Sequence, residues 1–251
     1  MKIFHKDAPR PFIAEMGGKN AVIVTSKADM QAAVEGIGRA AFGYGGQKCS
    51  ACSRTLVHRS IYADFVKSLR DWTENIIIGD PRKKETFLGP LINREAVDRY
   101  IRCCKSAKVA GRIETGGEIL TPNGLDGYYV SPTVVTDLKK THPLVTDELF
   151  LPFVCVIPIN SLAQGIMIAN RSEYGLTSGL MSRDESEISQ YMNNIEAGTI
   201  YANRRSGAST AAMVGSQPFV GWKMSATTWK AAGGMYYLPQ FMREQSQTRC
   251  L

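Results

Sequence analysis

The sequence predicts an α/β fold with a mainly parallel sheet and helices on both faces of that sheet. Short apolar runs alternate along the chain with segments whose apolar residues follow the helical period. The run from Ala21 to Val24 is typical of a buried strand, and the segment from Tyr62 to Ile76 carries its large apolar side chains on one helical face. Because strands that alternate with helices form βαβ units, the sheet is expected to be mainly parallel.

Helix-capping residues, glycine and proline mark where the predicted helices begin and end. The pattern from Ser26 to Asp29 is similar to a capping box, and the helix that it opens stops before Gly43. Ser60 opens a second helix, which Gly79 and Pro81 end. The other predicted elements are a strand at 55–58, a helix around 97–104, strands within 128–135 and 150–159, a helix at 162–170, a strand around 178–181, a helix around 188–195, a last core strand at 198–203 and an edge strand around 236–242.

Composition narrows the classes of function. With 44% hydrophobic and 21% charged residues, the 251-residue chain is expected to be globular rather than disordered. Its net charge of +7 comes from basic residues spread along the chain, which favours a solvated surface over nucleic-acid binding. No apolar run is long enough to cross a membrane, and no secretory signal is expected because residues 1–7 contain no apolar segment of the kind that such signals need. Six irregularly spaced cysteines favour a reducing compartment such as the cytoplasm.

Cys49 and Glu15 are the candidate chemical groups. Cys49 follows a glycine-rich turn and is adjacent to Lys48, whose charge favours the thiolate. Glu15 lies among apolar residues and before two glycines, where partial desolvation would make it a better base. A structural cysteine and a salt-bridged glutamate remain the alternatives from spacing alone. Cys49 and Cys52 also form a C-x-x-C pair, but no second pair completes a zinc site, so no metal is expected.

These segments resemble the aldehyde dehydrogenase superfamily. Residues 15–19 match its E-L-G-G-K element, in which the glutamate is the general base, and residues 42–49 match F-x-x-x-G-Q-x-C, in which the cysteine is the nucleophile. Residues 148–152 resemble E-x-F-G-P, and the resemblance implies that Glu148 and Phe150 contact the nicotinamide riboside of NAD. Residues 170–176 resemble N-x-x-x-Y-G-L. As a set, the matches imply an aldehyde dehydrogenase catalytic-domain fold.

Within that family the chain resembles the 1-pyrroline-5-carboxylate dehydrogenases, which oxidise L-glutamate γ-semialdehyde to glutamate in proline and arginine catabolism. The marks of this subfamily are G-G-Q-K-C-S-A at 45–51, Q-P-F at 217–219 and K-A-A-G-G at 230–234. The resemblance implies that Ser50, Ala211, Ala212 and Phe219 bind the substrate, with the loop at 206–208 as an alternative register. Val220, Ala226 and Leu151 stand where the family usually has glycine.

The resemblance also sets expectations about organisation. Residues 1–235 are expected to form the catalytic domain and residues 236–251 a C-terminal oligomerisation strand or tail. The NAD-binding domain of the family is expected to be absent from this chain, which would then be inactive alone as a dehydrogenase. The expected partners are a small-molecule aldehyde substrate and either further copies of the chain in a homo-oligomer or a separate NAD-binding domain. The alternatives are a non-catalytic subunit that docks on such a partner, and a cofactor-free thioesterase or esterase that uses the same cysteine. A location in the cytoplasm is expected, or in the mitochondrial matrix for a eukaryotic source.

Overall fold

A seven-stranded sheet forms the centre of the molecule. The structure is a computed structural model that describes residues 12–205, 216–230 and 232–250. The strands are β1 (Asn20–Val24), β2 (Cys52–His58), β3 (Arg112–Thr115), β4 (Ile119–Leu120), β5 (Tyr129–Val130), β6 (Thr133–Thr136), β7 (Phe153–Ile159), β8 (Tyr174–Gly175), β9 (Thr177–Met181), β10 (Thr199–Ala202) and β11 (Trp222–Lys223). The helices are α1 (Met30–Phe42), α2 (Tyr62–Glu74), α3 (Arg94–Ala110), α4 (Pro143–Thr146), α5 (Leu162–Asn170) and α6 (Glu185–Asn194).

The main sheet has the strand order β10-β9-β1-β2-β7-β6-β3. Every neighbouring pair is parallel except β3 and β6, which are antiparallel. The prediction of a mainly parallel α/β sheet is therefore confirmed. β1, β2 and β7 are adjacent at the centre, so the segments that lead into these three strands meet at one edge of the sheet.

Helices cover both faces because successive strand residues point to opposite sides. In β1, Ala21 and Ile23 belong to the core under α3, α5 and α6, while Val22 and Val24 belong to the core under α1 and α2. The two cores make the central strands apolar on both faces, which explains their continuous apolar runs.

The helix boundaries follow from side-chain caps. Asp29 caps α1 by accepting a hydrogen bond from the Ala32 N–H at 3.0 Å. The helix therefore begins after Asp29, three residues later than the capping-box pattern at Ser26 predicts. Asn93, Ser161 and Asp184 cap α3, α5 and α6 in the same way.

Three predicted strands differ from the structure. The run at 128–135 divides into β5 and β6, which pair with different strands, and Pro132 between them has no N–H for a ladder. β7 begins at Phe153 rather than 150, since Phe150 has a left-handed φ of 57°. The predicted strand around 236–242 is wrong: these residues contain a 3₁₀ turn over Leu238–Phe241, and Pro239 lies inside it. No helix in the described part of the chain is both long and apolar enough to span a bilayer.

Candidate active site

Three segments that enter adjacent parallel strands carry the predicted chemical groups. Glu15 precedes β1, Cys49 precedes β2 and Glu148 precedes β7. Because β1, β2 and β7 are neighbours and run in the same direction, their amino ends lie side by side. The candidate site is therefore at the amino ends of the strands, whereas ligands of open α/β sheets usually bind at the carboxyl ends.

Cys49 is half-buried and lies within electrostatic range of both carboxylates. Burial raises the pKa of the Cys49 thiol, and the negative charges of Glu148 and Glu15 raise it further. The N–H groups of Ser50 and of Cys49 itself oppose this shift by donating to the sulfur. The structure thus brings together the three groups that the motifs select, and it favours the protonated thiol in the resting chain.

The turn before Cys49 requires unusual backbone. Tyr44, Gly45 and Gly46 have left-handed φ values of 59°, 68° and 63°. A Cβ added to Gly46 would lie 2.1 Å from the carbonyl oxygen of Leu151. Gly46 therefore lets the Cys49 loop pack directly on the segment that carries Glu148. Leu151 itself, where the family usually has glycine, buries its side chain in the core.

Asn20 fixes the backbone on either side of Cys49. Its Nδ2 donates to the carbonyl oxygens of Cys49 at 2.7 Å and of Ala51 at 2.9 Å. Its Oδ1 accepts the Thr177 N–H at 3.0 Å. A Cβ on Gly18 would lie 2.4 Å from the Cys49 carbonyl oxygen, so close packing reinforces the same contact. One buried amide thus joins β1, β9 and the nucleophile loop.

The Glu15 segment is held by the chain around Ser225. Glu15 forms an antiparallel bridge with Ala226, and the Met16 N–H donates to the Ser225 carbonyl oxygen at 2.9 Å. The Ser225 hydroxyl donates to the Gly17 carbonyl oxygen at 2.7 Å. Glu15 is exposed, so the partial desolvation expected from its apolar sequence neighbours is not observed. Its carboxylate is accessible to water.

Glu148 is anchored and Phe150 is accessible. One oxygen of Glu148 accepts the Gly18 N–H at 2.9 Å, and the other lies 2.3 Å from where a Cβ on Gly17 would be. The two glycines therefore leave room for this carboxylate. Phe150 is 39% exposed and lines a cavity of about 790 Å³ together with Tyr44 and Gln47.

The two buried cations Lys19 and Arg54 were not singled out by sequence reasoning. Arg54 donates to the Lys19 carbonyl oxygen through Nε at 3.0 Å and Nη2 at 2.6 Å. The Lys19 ammonium donates to the Leu144 carbonyl oxygen at 2.9 Å. Together they connect the Glu15 segment to β2 and to the chain before Glu148. A charged residue inside an apolar, strand-like run, as Arg54 is in 52–58, is the one sequence signal that points to such a role.

The predicted substrate residues are placed only in part. Ser50 is buried, and its carbonyl oxygen accepts the Thr177 hydroxyl at 3.3 Å. Phe219 forms an antiparallel bridge with Ala232 near the amino end of β10, with β9 and β1 between that strand and β2. Ala211, Ala212 and the alternative loop at 206–208 lie outside the described residues. Val220 is buried against Thr199, to which its N–H donates.

The other cysteines do not extend the site. Cys52 is buried in the core between the sheet, α1 and α2, and its Sγ donates to the Arg54 carbonyl oxygen at 3.5 Å. Burial raises its pKa to about 11, which makes it a poor thiolate. Within the described residues, no group of three or more His, Cys, Asp or Glu side chains is arranged to hold a metal ion.

Comparisons with known proteins identify the family. Residues 1–246 match the aldehyde dehydrogenase family. The 1-pyrroline-5-carboxylate dehydrogenase of Geobacillus kaustophilus is 36% identical over 226 residues, which are 90% of this chain and 43% of that protein. The 1-pyrroline-5-carboxylate dehydrogenase 1 of Halalkalibacterium halodurans is also 36% identical over 234 residues, which are 93% of this chain and 44% of that protein.

Solved structures share the fold. The NAD-bound 1-pyrroline-5-carboxylate dehydrogenase from Thermus superimposes with a TM-score of 0.84 and 33% identity, covering 91% of this chain and 43% of that one. Proline utilization A from Bdellovibrio bacteriovorus has a TM-score of 0.85 and 38% identity, over 92% of this chain and 23% of its own. The chain spans less than half the length of these relatives. Given the match along nearly all of its length, the chain belongs to the aldehyde dehydrogenase family.

Proposed function

We propose that this chain supplies the nucleophile and the general base for NAD-dependent oxidation of L-glutamate γ-semialdehyde to L-glutamate. The observation that carries the proposal is the convergence of Cys49, Glu15 and Glu148 at the amino ends of three adjacent strands. The names of the relatives support the choice of substrate. A cytoplasmic location and the division into a catalytic domain and an oligomerisation tail belong to the same proposal.

Cys49 is the nucleophile. Its thiol must lose a proton before or during attack on the aldehyde carbon, because burial and two carboxylates raise its pKa. The sulfur bonds to that carbon, the second carbon–oxygen bond of the carbonyl breaks, and the proton lost by the thiol ends on the oxygen, which becomes a thiohemiacetal hydroxyl. The N–H of Cys49 is one donor for that oxygen, and a single donor of this type contributes about 10²–10³ in rate.

Glu15 acts as the base for hydrolysis. Its carboxylate takes a proton from water, whose oxygen attacks the acyl carbon bound to Cys49. The carbon–sulfur bond then breaks, glutamate leaves and the thiol is regenerated. The exposure of Glu15 suits this role because the attacking water must reach it from solvent.

Glu148 and Phe150 fit a nicotinamide riboside. The Glu148 carboxylate is fixed by the Gly18 N–H and offers acceptor oxygens of the kind that bind ribose hydroxyls. The accessible ring of Phe150 offers an apolar surface beside a cavity. NAD, when bound, supplies the hydride acceptor for the oxidation. Ser50, Ala211, Ala212 and Phe219 remain proposed substrate contacts.

The nucleophile is tested on the chain itself. With 4-nitrophenyl acetate, acylation should appear on Cys49 by peptide mass analysis. Cys49→Ala should lower the rate of ester cleavage at least ~10³-fold, since an enzyme that loses its nucleophile retains only background catalysis. Cys250→Ala removes an exposed thiol and is the matched control, which should leave the rate unchanged.

The dehydrogenase reaction is tested in a chimera. This chain replaces the matching 43% of the Geobacillus kaustophilus relative. We expect NADH formation from glutamate γ-semialdehyde, lost on Cys49→Ala. Sustained, Glu15-dependent ester turnover by the chain, together with no NADH formation by a folded chimera, would instead favour the thioesterase or esterase alternative.

A further inference from the structure

A second cavity contains none of the residues assigned to the reaction. It has a volume of about 390 Å³, and the Arg54 side chain forms part of its wall. Its rim includes residues from the loop before α4 and from the turn that follows α5. The cavity therefore joins the interior of the sheet, where Arg54 lies, to the surface.

The inner end of this cavity carries positive charge without a carboxylate partner. Arg54 is 5% exposed and Lys19, next to it, is 2% exposed. Their hydrogen bonds go to backbone carbonyl oxygens, and no ion pair among the described residues involves either side chain. Burial lowers the pKa of Arg54 to about 10 and that of Lys19 to about 8, and the two cations repel each other. A buried charge of this kind is costly unless an anion neutralises it.

The rim adds two further cations. Lys140 and Arg171 line the cavity, are exposed, and form no ion pair within the described part of the chain. Asp147 and Glu173 also line it, so three lining cations, Arg54, Lys140 and Arg171, face two carboxylates, and the buried Lys19 ammonium adds its charge from behind Arg54. Neither carboxylate forms an ion pair with these cations in the described part of the chain, and the negative charge of Asp147 acts on Lys19 only at longer range. The region therefore keeps a net positive charge that the protein does not neutralise.

We propose that this cavity binds a small oxyanion, of the phosphate or carboxylate class. Guanidinium and ammonium groups are the side chains that best bind such anions. The hydroxyls of Thr141 and Ser172, which also line the cavity, add neutral donors. The site does not depend on the proposed dehydrogenase activity, because none of its side chains takes part in that chemistry.

The test uses the full chain and three sodium salts at constant ionic strength. Phosphate, acetate and chloride are titrated, with thermal unfolding and calorimetry as readouts. We expect saturable binding of phosphate or acetate and none of chloride. The double variant Lys140→Gln/Arg171→Gln should weaken binding about tenfold or more, because it removes two charged donors. Lys83→Gln/Lys84→Gln removes the same charge from another exposed loop and should keep the affinity within about twofold.

Each outcome bears on the site. Saturation by phosphate alone identifies a tetrahedral anion, and saturation by acetate alone identifies a carboxylate. Equal effects of all three salts, equal losses in the two double variants, or no saturable binding of either oxyanion would overturn the proposal. Because all four substituted residues are exposed, far-UV circular dichroism is expected to show that both variants fold.

Discussion

The amino ends of the central strands and the segment 216–250 differ in how many of their apolar side chains are buried: most are buried around the strand ends, whereas most of the large ones in 216–250 are exposed. At the strand ends, Leu151 and Phe153 are buried, and the polar side chain of Asn20 bonds the backbone of the nucleophile loop. In the segment 216–250, Trp229 is 85% exposed and Leu238 is 70% exposed. The position of Cys49 is therefore set by buried contacts within the described chain, whereas the segment 216–250 presents apolar surface that the described residues leave uncovered.

The largest effect on stability is expected at Asn20. Asn20→Ala leaves two carbonyl oxygens and the Thr177 N–H without their partner in a buried region. We expect the free energy of unfolding to fall by about 2–4 kcal/mol in urea titrations. Asn193→Ala, which removes an exposed side-chain bond to the Ser189 carbonyl oxygen, should change it by less than about 0.5 kcal/mol. Equal losses of unfolding free energy in the two variants would show that the buried hydrogen bonds of Asn20 contribute no more to stability than an exposed one.

A pH-dependent effect is expected at Lys19. Burial lowers its pKa to about 8 from an ordinary value of 10.5. Below pH 8 both states carry the proton, so the native state bears the full cost of the buried charge. Between pH 8 and 10.5 only the unfolded state keeps it, so stability contributed by this site rises with pH.

The comparison of wild type with Lys19→Met isolates this dependence. The wild type should gain roughly 3 kcal/mol relative to Lys19→Met across that window, measured by urea unfolding under reducing conditions. The exposed Lys67→Met is the control and should run parallel to the wild type. If the difference in free energy of unfolding between wild type and Lys19→Met does not change with pH, the claim that Lys19 is a buried ammonium with a lowered pKa is contradicted.

The smallest effect is expected in the segment 216–250. Trp229 is 85% exposed, so Trp229→Ser removes little buried surface. The free energy of unfolding should change by less than about 0.5 kcal/mol. A larger loss of unfolding free energy would mean that this tryptophan is covered in solution. The claim that the segment 216–250 exposes its apolar side chains would then be wrong.

The sequence predicts the central elements well because their signals are local. The helix predicted at 162–170 has those bounds in the structure, and the run at 21–24 lies within β1. The strand predicted at 236–242 is wrong because the apolar residues of this segment suit a strand but have no strand to pair with among the described residues. The segment forms a 3₁₀ turn instead. Apolar content alone does not supply a pairing partner.

The sequence predicts only part of the site, because only some of its residues lie in local motifs. Motifs select Cys49, Glu15 and Glu148, and the sheet order then brings them together. Asn20 bonds Thr177, which is far away in the sequence, so no local pattern reveals its role. Arg54 bonds the equally distant Ala169, and its only local signal is a charge inside an apolar, strand-like run. The exposure of Glu15 also depends on tertiary packing and contradicts what its sequence neighbours suggest.

The pKa of Cys49 is the most direct measure of whether the three segments form one site. It can be obtained from the pH dependence of Cys49 alkylation by iodoacetamide, followed by peptide mass analysis. Glu15→Gln and Glu148→Gln should each lower this pKa, because each removes a negative charge that opposes the thiolate. The exposed Glu118→Gln is the control and should leave it unchanged. A pKa that stays the same in both Glu15→Gln and Glu148→Gln would contradict a shared site.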